Sequence, residues 1–336
     1  MKKVKIVIIG ATGSAYKRTI PGVRESLVCE VIAIQGRNED KLKNICSEYN
    51  IKAYYLDVEE MLQTEEFDMI YIANPPFMHY ESIAQAIRTN KPIICEKPLH
   101  NSYKNAIAIE KLFYEYSSPF MVAHHMRHQK AYNDIINIIS SGEIGNIANV
   151  YCQWGFKLNV NATNALWKLE PSLGGEGTFS DNGIHIIDFM IGIFGVPNSV
   201  FGHCFKNSLK NVYDNETAML CYSDKTITLN SSQNMSTPGN NILIYGTEGR
   251  IECFGGIGES SISKLIITNS DGNRIIEYPP INLYGAEVEN FVKYYFLKDA
   301  NANKGTTLEE ALISLKIIDL VRKANVDKKC YDFNLE

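Results

Sequence analysis

The chain has 336 residues, enough for a sizeable core and, since single cores seldom grow past roughly 250–300 residues, for about two domains. Its composition, 45% hydrophobic and 21% charged, is that of a globular protein, and a net charge of −5 leaves no basic footprint for nucleic acid. No apolar run approaches the roughly 18 residues of a membrane-spanning helix, so neither a nucleic-acid nor a membrane partner is expected. Met1-Lys2-Lys3 before Val4–Ile9 imitates a signal peptide, but the run is short and enters a glycine turn without a cleavage site, so it reads as a first strand. Eight cysteines stand at 29, 46, 95, 152, 204, 221, 253 and 330 without any Cys-x-x-Cys pair. They read as buried thiols in a reducing cytoplasm.

Lys5–Ile9 is β-branched and leads into Gly10-Ala11-Thr12-Gly13-Ser14-Ala15, from which one helix is expected through Arg24. This is a degenerate dinucleotide turn. In the Gly-x-Gly-x-x-Gly fingerprint, glycines allow the tight turn, the approach of backbone to pyrophosphate and the helix–strand contact. Here Thr12 holds the second position, Ala15 the third, and Gly13 is extra. Cys29–Gln35 is the second strand, and Asn38 caps the helix that follows. An NAD site usually places a carboxylate at this strand end, and none is present. Arg37 suits a 2′-phosphate instead, unless it is a solvated arginine; Arg18 or Lys17 could add positive field.

Asp57-Val58-Glu59-Glu60 is a capping box before a short helix, and Asp68–Ala73 is a buried strand ending at Asn74-Pro75-Pro76. A helix over His79–Thr89 leads to Ile93–Cys95, a β-prone uncharged run stopped by Pro98. Ser102–Tyr116 is a helix and Pro119–Ala123 a strand. Strands alternating with helices of about 10–15 residues predict a doubly wound parallel sheet over residues 1–123.

Beyond His124 the pattern changes. A helix at Lys130–Ser140 precedes longer alternating strands at Ile147–Phe156, Val200–Phe205, Ala218–Tyr222, Thr226–Asn234, Ile242–Tyr245, Ile251–Cys253, Leu265–Thr268 and Arg274–Tyr278, with hairpin signals such as Asp271-Gly272. Two helices close the chain, the last capped by Thr307 with Glu310. Residues 124–336 are thus expected to form an α+β domain with a large, mostly antiparallel open sheet.

The chemistry concentrates in two stretches. Lys97 lies at the carboxyl end of a buried parallel strand, the edge where open α/β sheets bind ligands, and the following proline fixes its direction. In Gly174-Gly175-Glu176-Gly177-Thr178-Phe179-Ser180-Asp181-Asn182-Gly183-Ile184-His185, Asp181 and His185 are four apart and share a helix face. A carboxylate beside an imidazole orients it and raises its pKa, as a proton donor working near neutral pH requires.

These residues resemble the glucose-fructose oxidoreductase, inositol dehydrogenase and MocA (Gfo/Idh/MocA) family of NAD(P)-dependent oxidoreductases over nearly the whole chain. Cys95-Glu96-Lys97-Pro98 is similar to its Glu-Lys-Pro signature, Gly174 to Asp188 to its Gly-Gly-x-x-x-x-Asp-x-x-x-His segment, Asn74-Pro75 through His79 to its Thr/Asn-Pro-x-x-x-His loop, and Gly246 to Gly249 to a turn in its second sheet. Thr12, and Glu176 where a third glycine is common, depart from the pattern. The resemblance implies a Rossmann domain binding NAD(P), with NADP preferred over NAD on the Arg37 reading above, through Gly10, Thr12, Gly13, Ser14, Ala15, Arg37, Asn74, Pro75, His79, Glu96 and Lys97. It implies hydride transfer to or from a sugar, nucleotide-sugar or cyclitol. Lys97 would stabilise charge on the reacting oxygen, His185 would pass the proton, and Asp181 would orient it or hold a hydroxyl. Arg127 would join these three in binding substrate, and the second domain's open sheet would assemble a homodimer or homotetramer.

A rival reading is a non-catalytic dinucleotide-binding regulator or partner subunit, which has no need of Lys97, Asp181 and His185 together. A glycosidase that oxidises transiently and regenerates its cofactor is a third. His124, His125 and His128 lack nearby acids or thiols and read as lining a cleft with Arg127 rather than holding a metal. Tyr294 and Lys298 reproduce a Tyr-x-x-x-Lys spacing by coincidence, far from the cofactor turn.

Overall fold

The computed structural model describes residues 2–161, 163–255, 257–258 and 260–334. Two compact units divide the chain. The first holds the chain up to His100, Lys104–His128 and Asn282–Ala311; the second holds Asn101–Tyr103, Gln129–Ile281 and the chain from Leu312 onward.

Among the described residues the first unit has six parallel strands: β1 (Val4–Ile9), β2 (Cys29–Gln35), β3 (Ala53–Tyr55), β4 (Met69–Ile72), β5 (Ile93–Glu96) and β6 (Phe120–Ala123). Their order is β3-β2-β1-β4-β5-β6, so the winding reverses between β1 and β4 and opens a crevice at those carboxyl ends. Ile6, Ile8, Ile70, Ile72, Ile93 and Ile94 are buried, as expected for strands covered on both faces. Asn38 caps helix Glu39–Tyr49 by accepting from Lys41 N at 2.9 Å, and Asp57 caps helix Val58–Thr64 by accepting from Glu60 N at 2.9 Å.

Two expectations change here. The single helix after the glycine turn is two, Ser14–Lys17 and Thr19–Arg24, broken at Arg18 (φ −132°, ψ −62°). Pro21 has no N–H for the Lys17 carbonyl and its ring crowds that carbonyl, so the first helix cannot continue. The segment Asn282–Ala311, expected within 124–336, belongs to the first unit. Its helix Leu283–Tyr295 packs Val288, Phe291 and Val292 into the core with Ile20 and Val23. The two helices meet at paired glycines: a Cβ on Gly22 would lie 2.6 Å from Gly285 N, and one on Gly285 would lie 2.7 Å from Gly22 O.

The second unit is built on β7 (Ile147–Gly155), β8 (Ser199–Phe205), β9 (Asn215–Cys221), β10 (Thr226–Ser232), β11 (Ile242–Gly246), β12 (Gly249–Gly255), β13 (Ile262–Asn269), β14 (Gly272–Glu277) and β15 (Tyr331–Asp332). Their order is β14-β13-β12-β11-β7-β10-β9-β8-β15; β7 and β10 pair in parallel and the other neighbours antiparallel. Burial alternates along β8, with Val200 and Cys204 inward and Phe201 and Phe205 outward, so one sheet face carries the core. Among the described residues no helix is long and apolar enough to cross a membrane.

Candidate active site

In the first unit the register sets the site. Ile9 on β1 pairs with Ile72 on β4, so Gly10 and Asn74 leave the sheet close together. Gly10 has φ +79°, and a Cβ there would lie 2.6 Å from Asn74 N. Gly10 N and Ala11 N donate to Gln35 O at 3.0 and 2.8 Å, tying the turn to the end of β2. Thr12 occupies the fingerprint's second position because Gly36 makes room: its Cγ2 is 3.0 Å from where a Gly36 Cβ would stand. Gly13 has open space where its Cβ would be, with Ser14 and Ala15 opening the next helix. Asn74 Oδ1 is buried without a hydrogen-bond partner, while its Nδ2 donates to Ser82 Oγ at 2.6 Å. A glycine turn beside an unused acceptor fits a dinucleotide with donors of its own. Arg37 is exposed beyond β2.

Lys97 follows the last residue of β5, half-buried, and the Lys97-Pro98 peptide is cis. Glu96 pairs in register with Ala123, so Lys97 and His124 leave neighbouring strands side by side. Behind them is a buried polar group: Tyr71 OH donates to Glu96 Oε1 at 2.9 Å and stands 3.3 Å from Glu287 Oε1. Arg18 lies over the Tyr284 ring, 5.4 Å from its centroid.

Several residues have settings that their type did not announce. His79, expected against the cofactor, is fully buried, with Nε2 2.9 Å from Asn74 O and Nδ1 3.1 Å from Leu99 O. It braces the loop after β4 against the one after Lys97, and burial pushes its imidazole down to about 4 although the carbonyl contacts favour the charged form. Arg127, expected on substrate, is 4% exposed and donates to Glu310 Oε1 at 2.8 Å. His124, His125 and His128 are buried. Burial pushes His124 well below the ordinary range and His128 to about 3, so both rings are neutral at pH 7. Lys298 follows the end of helix Leu283–Tyr295 with φ +59°, so Tyr294 and Lys298 do not share a helix face.

In the second unit the glycine-rich segment ends in a π-helical turn, Phe179–Gly183, continuing into helix Ile184–Phe194. Such turns often mark functional positions in helices. Asp181 lies in it, and both carboxylate oxygens accept from Lys168 Nζ at 2.8 and 2.9 Å; Gln233 Nε2 also donates to Oδ2 at 3.1 Å. His185 is buried and its ring stacks on Trp154 on β7, centroids 5.2 Å apart at 27°. The turn is anchored from β9: buried Glu216 accepts from Phe179 N at 2.5 Å and from Arg322 Nε at 3.0 Å, while Arg322 also donates to Ser180 Oγ at 2.9 Å. Lys168, Gln233 and Trp154 were not singled out by sequence. Lys168 sits in an irregular 3₁₀ stretch, and the other two read as ordinary strand residues.

Two family models match the chain: an oxidoreductase family with an NAD-binding Rossmann fold, over residues 4–124, and the GFO/IDH/MocA C-terminal domain, over residues 132–252. Fold and site define a Rossmann-type oxidoreductase, and the chain belongs to the Gfo/Idh/MocA family. Oxidoreductase P35 of Formosa agariphila is 26% identical over 320 residues, covering 93% of this chain and 96% of the relative. D-xylose 1-dehydrogenase (NADP(+)) 2 of Haloferax volcanii is 23% identical over 317 residues, covering 94% and 95%. The crystal structure of aldose-aldose oxidoreductase from Caulobacter crescentus, complexed with glycerol, superposes with a TM-score of 0.88 at 19% identity, covering 99% of this chain and all of that one. That likeness is one of fold.

Proposed function

We propose that this chain transfers a hydride between NADP, or less readily NAD, and a hydroxyl or keto carbon of a sugar, nucleotide-sugar or cyclitol. The observation that carries the reading is Lys97 at the carboxyl end of β5, beside the crevice where the sheet's winding reverses. The sugar-acting names of two of the similar proteins support the substrate class. The dinucleotide supplies the hydride acceptor or donor. Gly10, Thr12, Gly13, Ser14 and Ala15 form the turn against its pyrophosphate; Asn74, Pro75 and Glu96 border the nicotinamide end, with His79 bracing them from behind. Lys97 donates to the reacting oxygen and stabilises its developing charge. His185, held flat against Trp154, passes the proton, and Asp181, held by Lys168 and Gln233, orients the imidazole or a substrate hydroxyl. Arg37 meets the 2′-phosphate with a charge-assisted contact. Outward Phe201, Met219, Tyr151 and Tyr245 on the second sheet support assembly as a dimer or tetramer.

The test is turnover of free sugars, cyclitols and nucleotide-linked keto-sugars with both cofactors, followed by reduced-nicotinamide absorbance. Lys97→Met is expected to lower kcat on the order of 10²–10³-fold while retaining cofactor binding. In calorimetric titration, Arg37→Ala is expected to weaken NADP about ten- to a hundredfold and leave NAD unchanged. No turnover with any of these classes, or a near-normal kcat in Lys97→Met, overturns the reading.

A further inference from the structure

Behind Lys97 the hydrogen-bond stoichiometry of Tyr71, Glu96 and Glu287 is informative. All three side chains are buried: Tyr71 on β4, Glu96 at the end of β5, and Glu287 on helix Leu283–Tyr295. A phenol has one proton to give. Tyr71 OH is 2.9 Å from Glu96 Oε1 and 3.3 Å from Glu287 Oε1, and Thr19 Oγ1 donates to the phenol oxygen at 3.3 Å. If the phenol proton goes to the nearer carboxylate, Glu287 faces an oxygen that has nothing left to donate. Its other oxygen, Oε2, is buried with no hydrogen-bond partner among the described residues. An ionised carboxylate so placed would be a buried charge with no donor, which is strongly unfavourable. A protonated Glu287 instead donates to the phenol oxygen, and the chain of donors runs in one direction from Glu287 through Tyr71 to Glu96.

We propose that Glu287 is held as a neutral carboxylic acid which, through Tyr71, fixes a single negative charge on Glu96 next to Lys97, making Glu287 and Tyr71 positioning residues for that lysine. The inference rests on the role assigned to Lys97 in the proposed reaction. Burial raises both carboxyls, Glu287 well above the carboxylate range with the Glu96 charge adding to it, whereas Lys97, Tyr71 and Arg18 offset part of the rise at Glu96, which stays above its ordinary value by less. Burial also keeps the Tyr71 phenol protonated. The other titratable and charged groups around the chain are Arg18, between the two short helices, Cys95 on β5, and Lys97 itself, with the neutral His124 beyond β6. A single anion beside Lys97 favours its ammonium form, and a second would hold that ammonium at the expense of the reacting oxygen.

Infrared spectroscopy of the whole protein in D₂O, with carboxyl-¹³C glutamate to assign bands, reads the proton directly, because the carbonyl stretch of a neutral carboxyl lies apart from that of a carboxylate. At pH 7 the wild type is expected to show one buried neutral glutamic acid that Glu287→Gln removes and Glu96→Gln retains. In the pH dependence of kcat, Glu96→Gln is expected to move the alkaline limb down by about 1–3 units, since an opposite charge beside Lys97 is lost. Glu287→Gln keeps a donor to Tyr71 and changes no charge, so its limb stays in place. The proposal is overturned by the absence of a neutral glutamic acid band in the wild type, by its survival in Glu287→Gln, or by Glu287→Gln moving the limb as far as Glu96→Gln. Absence of the band in the wild type overturns the proposal even where a variant does not fold. Lack of turnover with every sugar would instead overturn the functional reading and leave the band as it is.

Discussion

Glu216→Gln is expected to cost about 3 kcal/mol and to disturb the turn that carries Asp181. Glu216 uses its two carboxylate oxygens on different partners: Oε1 accepts from Arg322 Nε at 3.0 Å, and Oε2 accepts from Phe179 N at 2.5 Å. Both partners are donors. A glutamine has one acceptor oxygen, so whichever way its amide turns, its NH₂ faces a donor. Removing one partner of a buried ion pair costs about 3–5 kcal/mol because a buried charge is left uncompensated. Arg322 is 13% exposed, so solvent reaches it slightly and the lower end applies. For a unit of this size that corresponds to a fall of roughly 6–12 °C in the unfolding midpoint. Differential scanning calorimetry should be run on the wild type, Glu216→Gln, Arg322→Met, and a Glu216→Gln/Arg322→Met double variant. The double variant removes both charges, so it should be more stable than the two separate losses would sum to, by about 2 kcal/mol or more. A Glu216→Gln midpoint equivalent to within about 0.5 kcal/mol of wild type, the scale of an unremarkable surface change, would refute the reasoning.

Gly10→Ala should lower the midpoint of the first unit and weaken dinucleotide binding. Its φ of +79° costs an L-residue about 1–2 kcal/mol and the new Cβ would meet Asn74 backbone at 2.6 Å; an unchanged thermal midpoint would contradict this. His79 stays neutral in the folded state down to about pH 4, whereas an unfolded imidazole takes a proton near pH 6.5, so its contribution is complete above pH 6.5 and is lost as pH falls toward 4. That amounts to about 3 kcal/mol, and His79→Asn should flatten the fall of the midpoint between pH 7 and 4; parallel curves would rule the histidine out. His185→Ala should lose most of the turnover and the near-neutral limb of the pH–rate profile, and an intact limb would mean that another group carries the proton.

The alternation that builds the first sheet was legible because its inner parallel strands hold short apolar runs ended by a turn signal, as Ile6–Ile9 is by Gly10 and Ile93–Cys95 by Pro98. The capping box of Thr307 and Glu310 was legible for the same local reason, and the two residues do exchange hydrogen bonds at 2.9 and 3.2 Å. β3 and β15 escaped notice because three half-buried residues and a two-residue strand carry no periodicity that a sequence pattern can register. The allegiance of helix Leu283–Tyr295 was illegible for a different reason. Its apolar stripe shows that one face is buried, but the pairing of Gly285 with Gly22 lies 263 positions apart in sequence and has no local signature.

The candidate site divides along the same line. Residues whose position follows from a strand end, Lys97 above all, could be placed from sequence because the strand and its terminator fix where the side chain starts. What each side chain meets depends on parts of the chain that return from afar: Arg127 donates to Glu310, 183 residues later, a contact that the local sequence around Arg127 does not announce. The Asp181 and His185 spacing suggested a shared helix face; the Lys168 charge on Asp181 and the Trp154 surface under His185 come from other parts of the chain that the spacing does not reveal. An Asp181 carboxylate held through both oxygens by the Lys168 ammonium is fixed in direction and so suited to orienting its neighbours. The imidazole, stacked on an uncharged indole, has no such charge imposed by its stacking partner. On that physical ground the proposed reaction assigns proton transfer to His185 and a supporting place to Asp181.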